Sequence, residues 1–159
     1  MPLIELTTRI AAPSERVFDL SRSIDLHLDS TAQTGEQAVG GVTSGLIGLG
    51  QEVTWRARHF GVVQHLTSRI TLFDRPRHFR DSMVRGAFKR FDHDHIFEDA
   101  AGATIMIDRF DYTSPLGILG HIADAMFLRR YMEKFLTTRN QEIRQAAESN
   151  AWRKYLQPA

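Results

Sequence analysis

Apolar and polar positions alternate from the first residues of the chain. Leu3, Glu5, Thr7 and Arg9 fall on one side of an extended backbone, and Ile4, Leu6, Thr8 and Ile10 on the other. This is the pattern of a half-buried strand. Pro13 suits a first helical turn, and Ser14-Glu15 precede Val17, Phe18 and Leu20 at helical spacing. A second short helix is expected from Ile24 to Ser30. Glycines at 35, 40, 41, 45, 48, 50 and 61 then punctuate the chain. The period of two returns over Gln51–Phe60, Val62–Phe73, Arg77–Arg85, Phe88–Phe97 and Ala103–Tyr112. The turns between these strands are short and carry Gly, Asp or Pro, which favours antiparallel neighbours.

Beyond Ser114-Pro115 the period becomes 3.6 and holds to about Ser149. Leu119, Ile122, Ala123 and Met126 form one apolar stripe. Leu128, Met132, Phe135, Leu136, Ile143 and Ala147 form another, half a turn around a straight helix. Either the helix bends near Phe127 to Arg130, or both its sides are covered. A straight helix of this extent would be ~50 Å long. The order therefore predicts an α+β domain: a curved antiparallel sheet of six or seven strands around a long C-terminal helix, with two short helices after the first strand. A cavity between sheet and helix is a binding site before any residue chemistry is considered.

Length and composition narrow the function. A chain of 159 residues is one domain's worth, read here as a domain over 1–150 and a C-terminal tail over 151–159. It can bury roughly two-thirds of its extended surface, enough for a core and a cavity. Its 20 Lys and Arg against 19 Asp and Glu leave no basic excess to attract a polyanion, so no nucleic-acid partner is expected. The absence of cysteine excludes disulfides, thiolate metal sites and cysteine nucleophiles. With neither a signal peptide nor an apolar run of the ~18 residues that span a bilayer, the expectation is a cytoplasmic protein and no integral membrane segment.

The segment Ala11-Ala12-Pro13-Ser14-Glu15-Arg16-Val17-Phe18, following the opening strand, resembles the start of the START-like superfamily. This is the helix-grip fold of the polyketide cyclase/dehydrase and lipid-transport (SRPBCC) group. Further matches follow in order: His27 near Ser30-Thr31, Gly45-Leu46-Ile47, the strand Glu52 to Gly61, Phe79-Arg80-Asp81, Gly86-Ala87-Phe88, His93-Asp94-His95-Ile96-Phe97, and Asp108-Arg109 before Tyr112 and Pro115. The resemblance runs from Leu3 to Ala147. It implies a pocket for a hydrophobic, lipid- or polyketide-like small molecule and brings no shared catalytic motif with it.

Several residues could carry chemistry in such a pocket. His93 and His95 lie two apart on a strand, so they share a face with Phe91 and Phe97. If that face lines the pocket, the imidazoles can act as acid, base or ligand anchor; otherwise they bond to neighbouring strands or meet solvent. Asp81, in register with Phe79 and Met83, would bury a charge on an inward face and so needs an Arg or His partner or a raised pKa. Trp55, sharing a face with Val53, Ala57 and His59, could stack on a planar ligand or simply fill core, and Tyr112 has the same two readings. The ligand-binding set is thus Trp55, His59, Phe79, Asp81, Met83, Phe91, His93, His95, Tyr112 and Met126. Catalytic residues are unassigned, with His93, His95 and Asp81 as candidates.

Other chemistries find less support. His93, His95, Asp81, Asp108, His27 and His59 are of types that zinc accepts, but no third ligand stands at a diagnostic spacing. No metal and no cofactor are expected. The run Gly40 to Gly50 matches no phosphate-binding pattern and is read as a mobile loop at the pocket mouth. No Gly-x-Ser-x-Gly elbow occurs. The leading expectation is a binder of a hydrophobic or aromatic small molecule; the alternative is a cyclase- or dehydrase-type enzyme. The apolar and basic helix beyond Arg130 could also form a homodimer seam or touch a membrane surface, or else simply cover the sheet.

Overall fold

The computed structural model describes residues 2–157 apart from 116 and 124–126. It contains strand β1 (Leu3–Ile10), helices α1 (Ser14–Ser21) and α2 (Ile24–Ser30), and strands β2 (Gln37–Gly41), β3 (Glu52–His59), β4 (Val62–Asp74), β5 (His78–Arg85), β6 (Arg90–Ala100) and β7 (Ala103–Thr113). Helices α3 (Gly117–Ala123), α4 (Arg129–Glu148) and α5 (Trp152–Leu156) follow. All seven strands form one antiparallel sheet in the order β1-β7-β6-β5-β4-β3-β2. Register shifts in β4, at Thr67/Ser68 and Ile70/Leu72, add local twist and curl the sheet. The architecture is the expected α+β helix grip.

Strand β2 lies inside the glycine-rich stretch and has no alternation to announce it. It is only five residues long and its ladder is interrupted by a bulge between Ala38 and Gly40. Gly41 adopts φ 68°, and a Cβ there would sit 2.1 Å from the Glu52 carbonyl oxygen, so only glycine fits. The following loop, expected to be mobile, is tied to the start of α2. Ile24 donates its amide to the Gly45 carbonyl at 2.9 Å, Ile47 to that of Arg22 at 3.2 Å, and Gly45 to the Asp25 carboxylate at 2.8 Å.

Phe127 and Leu128 form a wide π turn leading into α4. Helix α4, with 20 residues, is about 30 Å long, which matches the sheet it covers. Its buried stripe includes Leu136, Ile143, Ala146 and Ala147 and also two polar residues, Arg139 and Asn140. Tyr131, Met132, Phe135 and Leu136, which could have faced a partner, face the cavity below. Met126 lies outside the described residues. No helix among them is long and apolar enough to cross a membrane.

One core cluster lies at the end of the sheet under α1. Phe18 is fully buried and meets Phe73, Phe79 and Phe97 edge-on, at centroid distances of 5.3, 5.2 and 5.3 Å. Ile10, Val17, Leu20, Met106 and Ile143 close around it. Helix α5 packs against α1: the Arg16 guanidinium lies over Trp152 at 4.4 Å, and Lys154 and Tyr155 both bond to Asp29. A second cluster of Ile4, Phe91, Phe110, Tyr112 and Leu136 lies toward the other end. Between the two clusters the sheet and α4 part.

Candidate functional site

The parting is a cavity of about 590 Å³. Its apolar walls come from Val53, Leu66 and Ile70 on the sheet, Phe88, Phe91 and Phe110 at the aromatic end, and Leu128, Met132 and Phe135 from the helix. Two polar groupings interrupt these walls.

The deeper grouping is built by sheet register. Asp81 stands opposite His93 on neighbouring strands, and His95 stands opposite Asp108. All four side chains therefore project from one sheet face, toward α4. Asp108 is fully buried and serves as the hub. His93 Nε2 donates to its Oδ1 at 2.9 Å, His95 Nδ1 lies 3.1 Å from the same oxygen, and Arg139 Nη1 donates to it at 3.3 Å. Asn140 Nδ2 donates to Oδ2 at 2.7 Å. Asp81 takes the outer position, where His95 Nε2 donates to its Oδ1 at 3.1 Å and His93 Nδ1 lies 3.6 Å away. The Asp81 side chain is 21% exposed and lines the cavity, while the imidazoles are buried. Ring contacts hold the imidazoles: His95 stacks on Phe79 at 4.2 Å, and His93 lies tilted against His95 at 3.9 Å.

The charges in this grouping are mutually adjusted. Burial alone would raise the Asp108 carboxyl, but hydrogen bonds from His93 and His95 and the charge of Arg139 hold it well below the usual carboxylate range. Burial acts the same way on Asp81, and its His95 bond and the two nearby histidines again prevail, lowering it. His95 is raised: burial opposes the imidazolium, yet bonds to Asp108 and Asp81 outweigh it. His93 is lowered by burial and by the neighbouring charge on His95. Two carboxylates and one guanidinium are thus gathered with two imidazoles whose proton affinities are pushed in opposite directions. Burial of an uncompensated charge here would cost several kcal/mol.

The second grouping lies on the far side of the cavity, before β2 and at the end of β3. The Glu36 carboxylate, 6% exposed, is 3.2 Å from His27 Nε2, and the His27 ring lies 4.3 Å from that of Trp55. Burial would raise Glu36, but the proximity of His27 and hydrogen bonds from His27 and Thr31 lower it instead. His59 Nδ1 and the Tyr131 hydroxyl are hydrogen-bonded, joining the hairpin to α4. At the end of β7, the buried Ser114 Oγ also lines the cavity and has no hydrogen-bond partner among the described residues.

Of the residues singled out from sequence, Trp55, His59, Phe79, Asp81, Phe91, His93 and His95 line the cavity. Tyr112 is fully buried in the second core cluster, Met83 packs beside that cluster, and neither is on the cavity wall. Sequence reasoning missed Arg139, Asn140 and Glu36. The helical residues do leave a trace, since positions 139 and 140 are polar interruptions of the stripe Leu136, Ile143 and Ala147. Glu36 adjoins the strand that lacks a pattern and left none.

No family profile matches the chain, and no curated protein matches it. Solved structures do. TTHA0849 from Thermus thermophilus superposes with a TM-score of 0.72 at 18% identity, over 93% of this chain and 100% of that one. A START superfamily protein from Mycobacterium smegmatis gives 0.68 at 8% identity, over 92% and 97%. The Zhui aromatase/cyclase from Streptomyces sp. R1128 gives 0.68 at 15% identity, over 94% and 97%. At these identities the likeness is one of fold, and the chain has the START-like helix-grip fold.

Proposed function

We propose that the protein binds a largely apolar, aromatic small molecule, lipid- or polyketide-like in character, between the sheet and α4. The observation that carries this reading is the cavity itself: about 590 Å³, walled by phenylalanines, with separate polar groupings on opposite sides. Its size falls within the ~300–1,000 Å³ of small-molecule sites, and its mix of apolar wall and a few convergent polar groups is their usual composition. Trp55 offers a stacking surface, while Asp81 and Ser114 offer hydrogen bonds to hydroxyl or carbonyl groups. Neighbours of the same fold include a protein described as an aromatase/cyclase, which supports the same class of guest.

Native mass spectrometry of the purified protein, followed by denaturing extraction, tests the proposal. It is paired with tryptophan-fluorescence titration using hydroxylated polycyclic aromatic compounds. The expected results are a co-purifying hydrophobic adduct or saturable quenching that Trp55→Phe abolishes. A protein that carries no adduct and is quenched by no compound in the series would overturn the reading.

A second reading, a cyclase- or dehydrase-type enzyme, draws on the His93–His95–Asp81 grouping at the cavity wall. His93, held neutral, is the base of the pair, and Asp81 is the group within a guest's reach. General acid–base assistance contributes ~10²–10⁴-fold, so His93→Gln would lower kcat by that factor and leave binding almost intact. Parallel loss of both would assign His93 to binding alone.

A further inference from the structure

The deep grouping has a feature that ligand binding does not require. Its two histidines are oriented by one carboxylate so that their remaining nitrogens converge on another. Asp108 Oδ1 accepts from His93 Nε2 at 2.9 Å, and His95 Nδ1 lies 3.1 Å from the same oxygen. That arrangement orients both rings so that His93 Nδ1 and His95 Nε2 face Asp81 Oδ1, at 3.6 and 3.1 Å. The three facing donor atoms lie within 4.8 Å of one another. Ligand atoms ~2.1 Å from a common ion stand roughly 3–3.5 Å apart, so small side-chain adjustments suffice.

We propose that Asp81, His93 and His95 form a binding site for one divalent first-row transition-metal ion, with Asp108 as the carboxylate that orients both imidazoles. Two histidines and one carboxylate with positions left open form a recurrent ligand set for such ions, and a carboxylate behind each metal-bound histidine is its usual support. Asn140 and Arg139 in turn hold Asp108, at 2.7 and 3.3 Å. The third ligand eludes sequence spacing because it comes from the adjacent strand. Asp81 lines the cavity, so the open positions face the guest's side.

Charge accounting agrees. With both imidazoles neutral, Asp81, Asp108 and Arg139 sum to one negative charge. A divalent ion on Asp81 and the two imidazoles would turn that into a single positive charge. Arg139 Nη2, 3.4 Å from His95 Nδ1, opposes any further positive charge. The bound ion would therefore favour an anionic oxygen, such as hydroxide, phenolate or carboxylate, as its next ligand. The site stands independently of whether the cavity holds a hydrophobic guest.

The test is titration of the full chain with Co²⁺, read by its visible d–d absorption. We expect one equivalent to bind and Zn²⁺ to displace the band. Asp81→Asn and His95→Gln should each weaken binding at least 100-fold, and Asp108→Asn by ~10–100-fold. His78→Gln, which removes a histidine–carboxylate pair outside the cavity, should leave it unchanged. X-ray absorption on the wild-type cobalt complex should show two imidazoles, which keeps the test valid if a variant fails to fold. No band at millimolar Co²⁺, a band that survives both ligand substitutions, or fewer than two imidazoles would each overturn the proposal.

Discussion

The two ends of the sheet present the same kind of face to α4 and put it to opposite use. Under α1, Phe18 stands among Phe73, Phe79 and Phe97 with rings in edge contact, and of these Phe79 also reaches the cavity wall. At the other end Phe88, Phe91 and Phe110 also touch one another, at 5.9, 5.9 and 5.1 Å, yet they wall a cavity. Strand periodicity is identical in both places. What differs is the covering: α1 packs into the core cluster at one end, while at the other α4 lies over the sheet and lines the cavity. The histidine–aspartate–arginine grouping lies at the boundary, where Phe79 stacks on His95 and Arg139 reaches the end of α1 by donating to the Ser21 carbonyl at 3.1 Å. An inward-facing aromatic residue thus becomes core or wall according to what lies above it.

Substitutions should separate these regions. Asp108→Ala strips two imidazoles and a guanidinium of their shared partner and should cost ~3–5 kcal/mol in chemical denaturation, the range for breaking a buried ion pair. Phe18→Ala, in the core cluster, should cost a similar ~3–5 kcal/mol because the void cannot collapse. Phe91→Ala only enlarges a space that already exists. Its cost should stay near the ~1.5–3 kcal/mol of the lost apolar burial, while the retention of any bound guest should change more than for Phe18→Ala. Equal destabilisation by the two phenylalanine substitutions would erase the distinction between the ends.

The two adjacent histidines should reveal themselves by opposite pH dependence. His95 has a folded pKa above its ordinary 6.5, so its stabilising effect is complete below that value and fades as pH rises through the folded pKa. The deficit of His95→Gln relative to wild type should therefore be larger at about pH 5 than at about pH 8. His93 has a folded pKa below 6.5, so wild type loses its contribution as pH falls from there. The deficit of His93→Gln should shrink over the same interval. Denaturation curves at several pH values check both signs, and parallel slopes would contradict the charge assignment. The smallest effect belongs to the exposed pair Arg69 and Glu52, where Arg69→Ala should change stability by less than about 1 kcal/mol.

Much of this organisation is legible in the sequence, and unevenly so. Strands buried on one face announce themselves: β3 through Val53, Trp55 and Ala57, and β6 through Phe91, His93, His95 and Phe97. The register of Phe79, Asp81 and Met83 calls for either a partner for Asp81 or a raised pKa, and the structure supplies His95 as the partner. Which partner it would be was not readable, because strand pairing joins residues by geometry and not by spacing. Arg139 was harder still. A basic residue on an amphipathic helix is ordinarily solvated, and only the alignment of α4 against β7 turns it inward to Asp108. Strand β2 escaped because a bulge between Ala38 and Gly40 interrupts it, and Gly40 and Gly41 contribute no side chains to a pattern.

The pairing of β1 with β7 has a consequence for how the protein comes into being. Leu3 aligns with Asp111 and Ile10 with Thr104, so the first strand remains an unpaired edge until the last one arrives. Contacts this distant in sequence form slowly, since the loop must close before any of them stabilises it. On the ribosome, the chain emerges with its first strand and a row of phenylalanines awaiting β7 and α4. The cavity is therefore the last feature to take shape, and until it does the same aromatic wall is an exposed, adhesive surface. The molecule is most vulnerable to aggregation in the interval before its own C-terminal helix covers it.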